Sequence, residues 1–210
     1  MMGERRDSLD TEGLSKGRIE AFSDGVFAIV ITLLILEIKV PEIPTAQVTT
    51  ELLPRLQELT PKLLSYVTSF LVIGTYWVAH HNAFHYARRG DRLLLWINIL
   101  YLMCLTFIPF PTALLGEYAP DSVAVAIYGV TLLVTAIVFN GMWWYIAYSP
   151  GLLRPETNPR VVKQVTRGGI LGLVAYTLAL ALAFMNPPLS ITLQVLLPIF
   201  FIMLNIYWTR

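Results

Sequence analysis

The stretch RIEAFSDGVFAIVITLLILEI, residues 18–38, decides how this chain is read. It opens with charged and polar residues and then runs from Gly25 to Leu36 without a charge. A helix rises about 1.5 Å per residue and the hydrocarbon core of a bilayer is about 30 Å thick, so a run of about 20 apolar residues is a membrane span. Five more runs of this kind follow, at about residues 62–81, 93–115, 122–148, 168–186 and 189–208. Strong breakers separate them: Pro41, Pro44, Pro54 and Pro61; Arg88, Arg89 and Gly90; Pro120 with Asp121; Pro150, Gly151, Pro155 and Pro159; and Pro187 with Pro188. The pattern predicts an all-α membrane protein with six transmembrane helices. A polar N-terminal segment, residues 1–17, precedes one transmembrane domain over residues 18–210.

Composition agrees. The 210 residues are 56% hydrophobic and only 14% charged, with mean hydropathy +0.63, far from the roughly 25% charged residues of a soluble domain. Fifteen Lys and Arg stand against 14 Asp and Glu, which offers no basic surface for nucleic acid. The one cysteine, Cys104, lies in an apolar run, which excludes an intrachain disulfide framework and a four-cysteine metal site. No small-residue cleavage pattern follows the first apolar run, so helix 1 is expected to stay in the chain.

Positive charge sets the expected orientation, because short cytoplasmic loops are rich in Lys and Arg. Arg5, Arg6, Lys16 and Arg18 flank helix 1, and Arg88, Arg89 and Arg92 lie between helices 2 and 3. Arg154, Arg160, Lys163 and Arg167 precede helix 5, and Arg210 ends the sequence. The opposite side has only Lys39, Arg55 and Lys62. Both termini are therefore expected in the cytoplasm. Between Val40 and Pro61 the loop is proline-rich, and its middle, Ala46 to Leu59, has the pattern of a short amphipathic helix.

An ionisable residue near a helix centre costs about 2.5–3.5 kcal/mol on the insertion scale, so the polar residues inside spans carry the information. Asp24 lies about 9 Å beyond Arg18 along the helix, where it needs partners. Ser23 and Asp24 also suit a polar helix start. Phe22, Ile29, Thr32 or Leu33, and Leu36 recur at spacings of three, four and seven and share one stripe. Such a stripe ordinarily packs against a neighbour; around an oligomer axis it would form stacked apolar rings, which are hydrophobic constrictions. Helix 2 ends with all three histidines, His80, His81 and His85. His81 and His85 share a face, but no acidic ligand follows them, so no metal is expected. Trp77 and one of His80 or His81 are expected to hydrogen-bond neighbouring polar groups, drawn from Arg18, Ser23, Asp24 and Asn98, and so to hold helix 1 in place. No phosphate-binding loop, nucleophile elbow, dinucleotide fingerprint or zinc-protease motif is present, and the chain is not expected to be an enzyme.

Arg18-x-x-x-Phe22-Ser23-Asp24, opening a first span that continues Gly-Val-Phe-Ala-Ile-Val-Ile-Thr-Leu-Leu, resembles the signature of the transmembrane protein 175 family. These are endosomal and lysosomal potassium channels with prokaryotic relatives. The likeness extends to the Tyr-Trp-x-x-His-His run ending helix 2 and to Asn98 through Pro111. Animal members hold two six-helix repeats and are dimers, whereas prokaryotic members hold one and are tetramers. A single Phe-Ser-Asp occurs here, so the chain resembles the prokaryotic form.

The resemblance implies a potassium-permeable homotetramer with helix 1 lining a central pore. Ile29 corresponds to the narrowest constriction, with Thr32 or Leu33 and Leu36 as the next rings outward. Arg18, Phe22, Ser23 and Asp24 correspond to the signature that anchors helix 1; Trp77, His80, His81 and Asn98 are its expected partners. The implied species are potassium, other monovalent cations and membrane lipid. No cofactor is expected, and the implied location is a prokaryotic plasma membrane. Glu37 or Glu42 would make an acidic outer mouth. The competing expectation is a proton-coupled secondary transporter using Asp24 and the helix 2 histidines, although helices 1–3 and 4–6 share no motif that would mark inverted repeats.

Overall fold

Prolines and short polar side chains set where the helices begin. Asp91 accepts the Leu94 amide at 2.8 Å and caps α4, Arg92–Phe107. Asp121 does the same for α6, Ser122–Tyr148, through the Val123 and Ala124 amides. Asn158 caps α7, Pro159–Ala183, where proline at the first turn has no amide to leave unsatisfied. Asn186 accepts the Leu189 amide at the start of α8, Pro187–Trp208. In α5, Pro109–Tyr118, the first residue is again proline. The computed structural model describes residues 16–208, with the side chains of residues 16–203.

The remaining elements are α1, Lys16–Leu33; a 3-10 turn, Leu34–Glu37; a second, Thr45–Gln47; α2, Val48–Glu58; and α3, Thr60–Tyr86. Among the described residues, five stretches are long and apolar enough to cross a membrane: Lys16–Glu37, Thr60–Tyr86, Arg92–Tyr118, Ser122–Tyr148 and Pro159–Ala183; Pro187–Met203 is a shorter apolar helix. The amphipathic segment expected after the first span is α2, which exposes Leu52, Leu53 and Leu56.

The third span is two helices, broken at Ile108: Pro109 has no amide to donate to the Leu105 carbonyl, which accepts from Ile108 N at 3.1 Å instead. The largest departure from the sequence expectation is the start of α7. α7 begins at Pro159, well before the apolar run at Gly168. Arg160, Lys163 and Arg167 lower the hydropathy of that segment, yet Val162 and Val165 on its other side pack against the core.

α6 is the central post. It packs on α4, α5, α7 and α8 and buries Tyr128, Leu132, Met142, Trp143 and Ile146. α3 lies against α5, with Ser69 Oγ within 2.7 Å of Thr112 Oγ1 and 2.9 Å of Tyr128 Oη. At the α6–α7 contact, a Cβ on Gly169 would overlap Asn140 Oδ1. Gly169→Ala is therefore expected to cost about 1–3 kcal/mol from overpacking, read as a lower unfolding temperature in detergent.

One end of the bundle carries the arginine-rich loops and is latched. Arg88 N donates to Leu152 O at 2.7 Å, and Arg154 N donates to Tyr86 O at 3.0 Å. The Ala87 carbonyl accepts from Lys16 Nζ at 3.3 Å and Arg154 Nε at 3.4 Å, which ties the start of α1 to both loops. Arg5, Arg6 and the rest of the N-terminal segment before Lys16 lie outside the described residues, as does Arg210.

Candidate functional site

α1 has two unlike faces. Ile19, Ser23, Phe27, Val30 and Leu34 recur every three or four residues and are buried against α3 and α4. The opposite face is open: Phe22 is 61% exposed, Ile29 59% and Leu36 65%, and Thr32 and Leu33 are exposed between them. The change to a 3-10 turn after Leu33 keeps this face aligned, because side chains at i and i+3 eclipse in that geometry and Leu36 follows Leu33. Thr32 Oγ1 donates to Ile29 O at 2.8 Å, which leaves its lone pairs free to accept.

The buried face is held by a polar chain. Ser23 Oγ donates to Ile19 O at 2.8 Å and accepts from Asn98 Nδ2 at 2.9 Å. Asn98 Oδ1 accepts from His80 Nε2 at 2.8 Å, so that ring nitrogen carries the hydrogen. Ser23, His80 and Asn98 are all buried, and their bonds join α1, α3 and α4 in one place. A satisfied buried hydrogen bond contributes about 0.5–1.5 kcal/mol net, but a partner left unsatisfied costs about 1–3 kcal/mol, so the chain specifies one seating of α1. A second tie lies nearer the surface, where Trp77 Nε1 donates to Asp24 Oδ1 at 2.9 Å.

The structure thus brings Ser23, His80 and Asn98 together, and separately Asp24 and Trp77. His81 stays out of both bonds. It is exposed, with its ring 6.1 Å from that of Trp77. Arg18 is exposed and, among the described residues, makes no ion pair. Nor do three His, Cys, Asp or Glu side chains converge among the described residues in a way that would hold a metal ion.

Sequence reasoning missed the aromatic collar around this chain. Tyr101 stacks on His80 at 5.8 Å with rings 4° from parallel, Phe84 lies 4.5 Å from the same ring, and Phe27 approaches at 5.7 Å. The signal was present in the spacing. Phe27 is four residues from Ser23, Phe84 four from His80 and Tyr101 three from Asn98, so each shares a helix face with a polar member. Asp91 was missed too; besides capping α4 it accepts from Tyr145 Oη at 2.8 Å.

With this geometry in place, known proteins give a consistent picture. The family model described as the endosomal/lysosomal potassium channel TMEM175 matches residues 18–109, which hold both ties of α1. A potassium channel of Streptomyces collinus is 40% identical over 189 residues, covering 88% of this chain and 90% of that one. A potassium channel of Chamaesiphon minutus is 44% identical over 188 residues, covering 88% and 92%. The crystal structure of a lysosomal potassium-selective channel TMEM175 homologue from Chamaesiphon minutus superposes with a TM-score of 0.80 at 42% identity, covering 90% of this chain and 96% of that one. These relatives are named as ion channels and not as enzymes. The chain is an integral membrane protein and belongs to the TMEM175 family.

Proposed function

We propose that four copies of this chain assemble around an axis lined by α1 and conduct potassium. The observation that carries the reading is the open apolar face of α1, set against a buried face fastened by the Ser23, Asn98 and His80 bonds. A single helix encloses nothing, but cyclic symmetry turns one exposed stripe into stacked rings. Ile29 forms the narrowest ring, Thr32 and Leu33 the next, and Leu36 the outermost. α8 serves as the sixth span, and both termini lie on the cytoplasmic side of a prokaryotic plasma membrane.

An apolar ring has no carbonyls to replace an ion's hydration shell, so cations pass only when the ring widens or fills with water. Thr32 supplies hydroxyl acceptors beside that ring. Within the signature Arg18, Phe22, Ser23 and Asp24, it is Ser23 and Asp24 that anchor α1, through Asn98 with His80 and through Trp77, and they do not bind the ion. No cofactor takes part; potassium is the permeant species, with other monovalent cations admitted less readily. The transporter reading finds no favour: His80 is committed to Asn98 and Asp24 to Trp77, and the relatives are channels.

The test is a bilayer recording of purified protein with potassium on one side and sodium on the other. Unitary currents reversing near the potassium equilibrium potential are expected. Saturating flux that follows a proton gradient would overturn the proposal.

A further inference from the structure

α2 is a helix without a seat in the protein. None of its residues is buried, and its packing neighbours are the 3-10 turn before it and the start of α3 after it. Val48, Leu52, Leu53 and Leu56 are exposed on one side, whereas Glu51, Arg55 and Glu58 share another. Arg55 pairs with Glu51 at 3.6 Å and with Glu58 at 3.3 Å, so the polar side meets its own charges. Among the described residues, it is the apolar side that is left uncovered.

Topology fixes the level at which α2 lies. The first span ends at Glu37 and the second begins at Thr60, so residues 38–59 turn around at one bilayer surface, the one away from the arginine-rich loops. α3 has 27 residues, about 40 Å at about 1.5 Å per residue, which already crosses the hydrocarbon and headgroup layers. Its first turn holds the Lys62–Glu117 ion pair, and charges of this kind belong with headgroups rather than acyl chains. α2 joins that turn through Leu59. The apolar stripe continues across the junction: Leu52, Leu56, Leu59 and Leu63 recur at four, three and four, and lead into Leu64 and Val67 on the exposed side of α3.

We infer that α2 docks on the bilayer surface, with its leucines sunk at the boundary of headgroups and acyl chains and its Glu51–Arg55–Glu58 side turned to water. A leaflet suits this surface better than a second copy of the chain. The uncovered side is apolar alone, it lies at headgroup level, and it is continuous with the exposed side of a membrane span. Two carboxylates outnumber the one guanidinium, so attraction to anionic headgroups plays no part and burial of the leucines carries the binding. The inference needs only that the chain spans a membrane, not that α1 lines a pore, and its test reads no current.

Nitroxide labels on the full chain in phosphatidylcholine nanodiscs provide the test. With Cys104→Ser removing the native thiol, Leu52→Cys, Leu53→Cys and Leu56→Cys, and on the polar side Thr50→Cys and Glu58→Cys, are labelled one at a time. All five positions are exposed, so the fold should survive each change. The collision rates of each label with molecular oxygen and with a water-soluble nickel chelate are then measured. Oxygen is expected to outpace the chelate severalfold at positions 52, 53 and 56, and the order to reverse at 50 and 58. Exclusion of both reagents with an immobilised spectrum at 52, 53 and 56 would overturn the inference, since a second copy would then cover the stripe. Chelate access at those positions equal to that at 50 and 58 would also overturn it, leaving α2 in water.

Discussion

Ile29→Asn is expected to raise the unitary current about tenfold or more and to weaken the preference for potassium over sodium. Ile29 is 59% exposed in the single chain, so the substitution removes little packing and the fold should survive it. In the proposed tetramer the same change would place four carboxamides where four branched apolar side chains meet. Water then fills the ring at rest, and the dehydration barrier falls. Lowering the barrier by about 1.4 kcal/mol is already tenfold in rate. A preference that depends on partial dehydration weakens with it. Single-channel recording in mixed potassium and sodium gives both quantities; unchanged conductance and reversal potential would remove Ile29 from the constriction.

Asn98→Leu is expected to be the most damaging single change to the anchor, lowering stability by about 2–4 kcal/mol, because it strands His80 Nε2 and removes the bond to Ser23 Oγ, which keeps its donation to Ile19 O. Asn98 is fully buried and holds both Ser23 Oγ and His80 Nε2. Leucine keeps the branched heavy-atom shape but offers neither acceptor nor donor. The unfolding temperature in detergent should fall, and current from the surviving fraction should become irregular as α1 loses its fixed seating. His81→Ala is the control: an exposed side chain outside both ties should change stability by no more than about 0.5 kcal/mol. A larger loss for His81→Ala than for Asn98→Leu would mean that the wrong residues have been assigned to the anchor.

Much of the architecture is written in hydropathy and punctuation. Asp121 with Ser122, and Pro187 with Pro188, mark helix starts because capping and proline geometry act locally and need no tertiary partner. The start of α7 was hidden for the converse reason. Arg160, Lys163 and Arg167 make the segment polar on average, although its valines face inward, and a hydropathy average does not separate two faces. At the anchor, sequence supplied the set of polar residues but not their pairing. His80 and His81 are neighbours about 100° apart around α3, and only the position of α4 decides which of them meets Asn98. The aromatic collar of Phe27, Phe84 and Tyr101 was overlooked because aromatic residues in a span read as lipid-facing or core until a polar neighbour is located in space.

That α1 lines the conduction path is the central claim, and thiol accessibility along this helix tests it most directly. Cys104 is the single native cysteine, so Cys104→Ser gives a background without thiols. Single cysteines at Ile29, Leu33 and Leu36, and for contrast at the buried Val30 and Leu34, are then exposed to a water-soluble cationic thiol reagent during potassium current. The account predicts rapid, irreversible block at positions 29, 33 and 36, and current unchanged at 30 and 34. Block at 30 and 34, with none at 29, 33 and 36, would place another surface on the pore axis and contradict it.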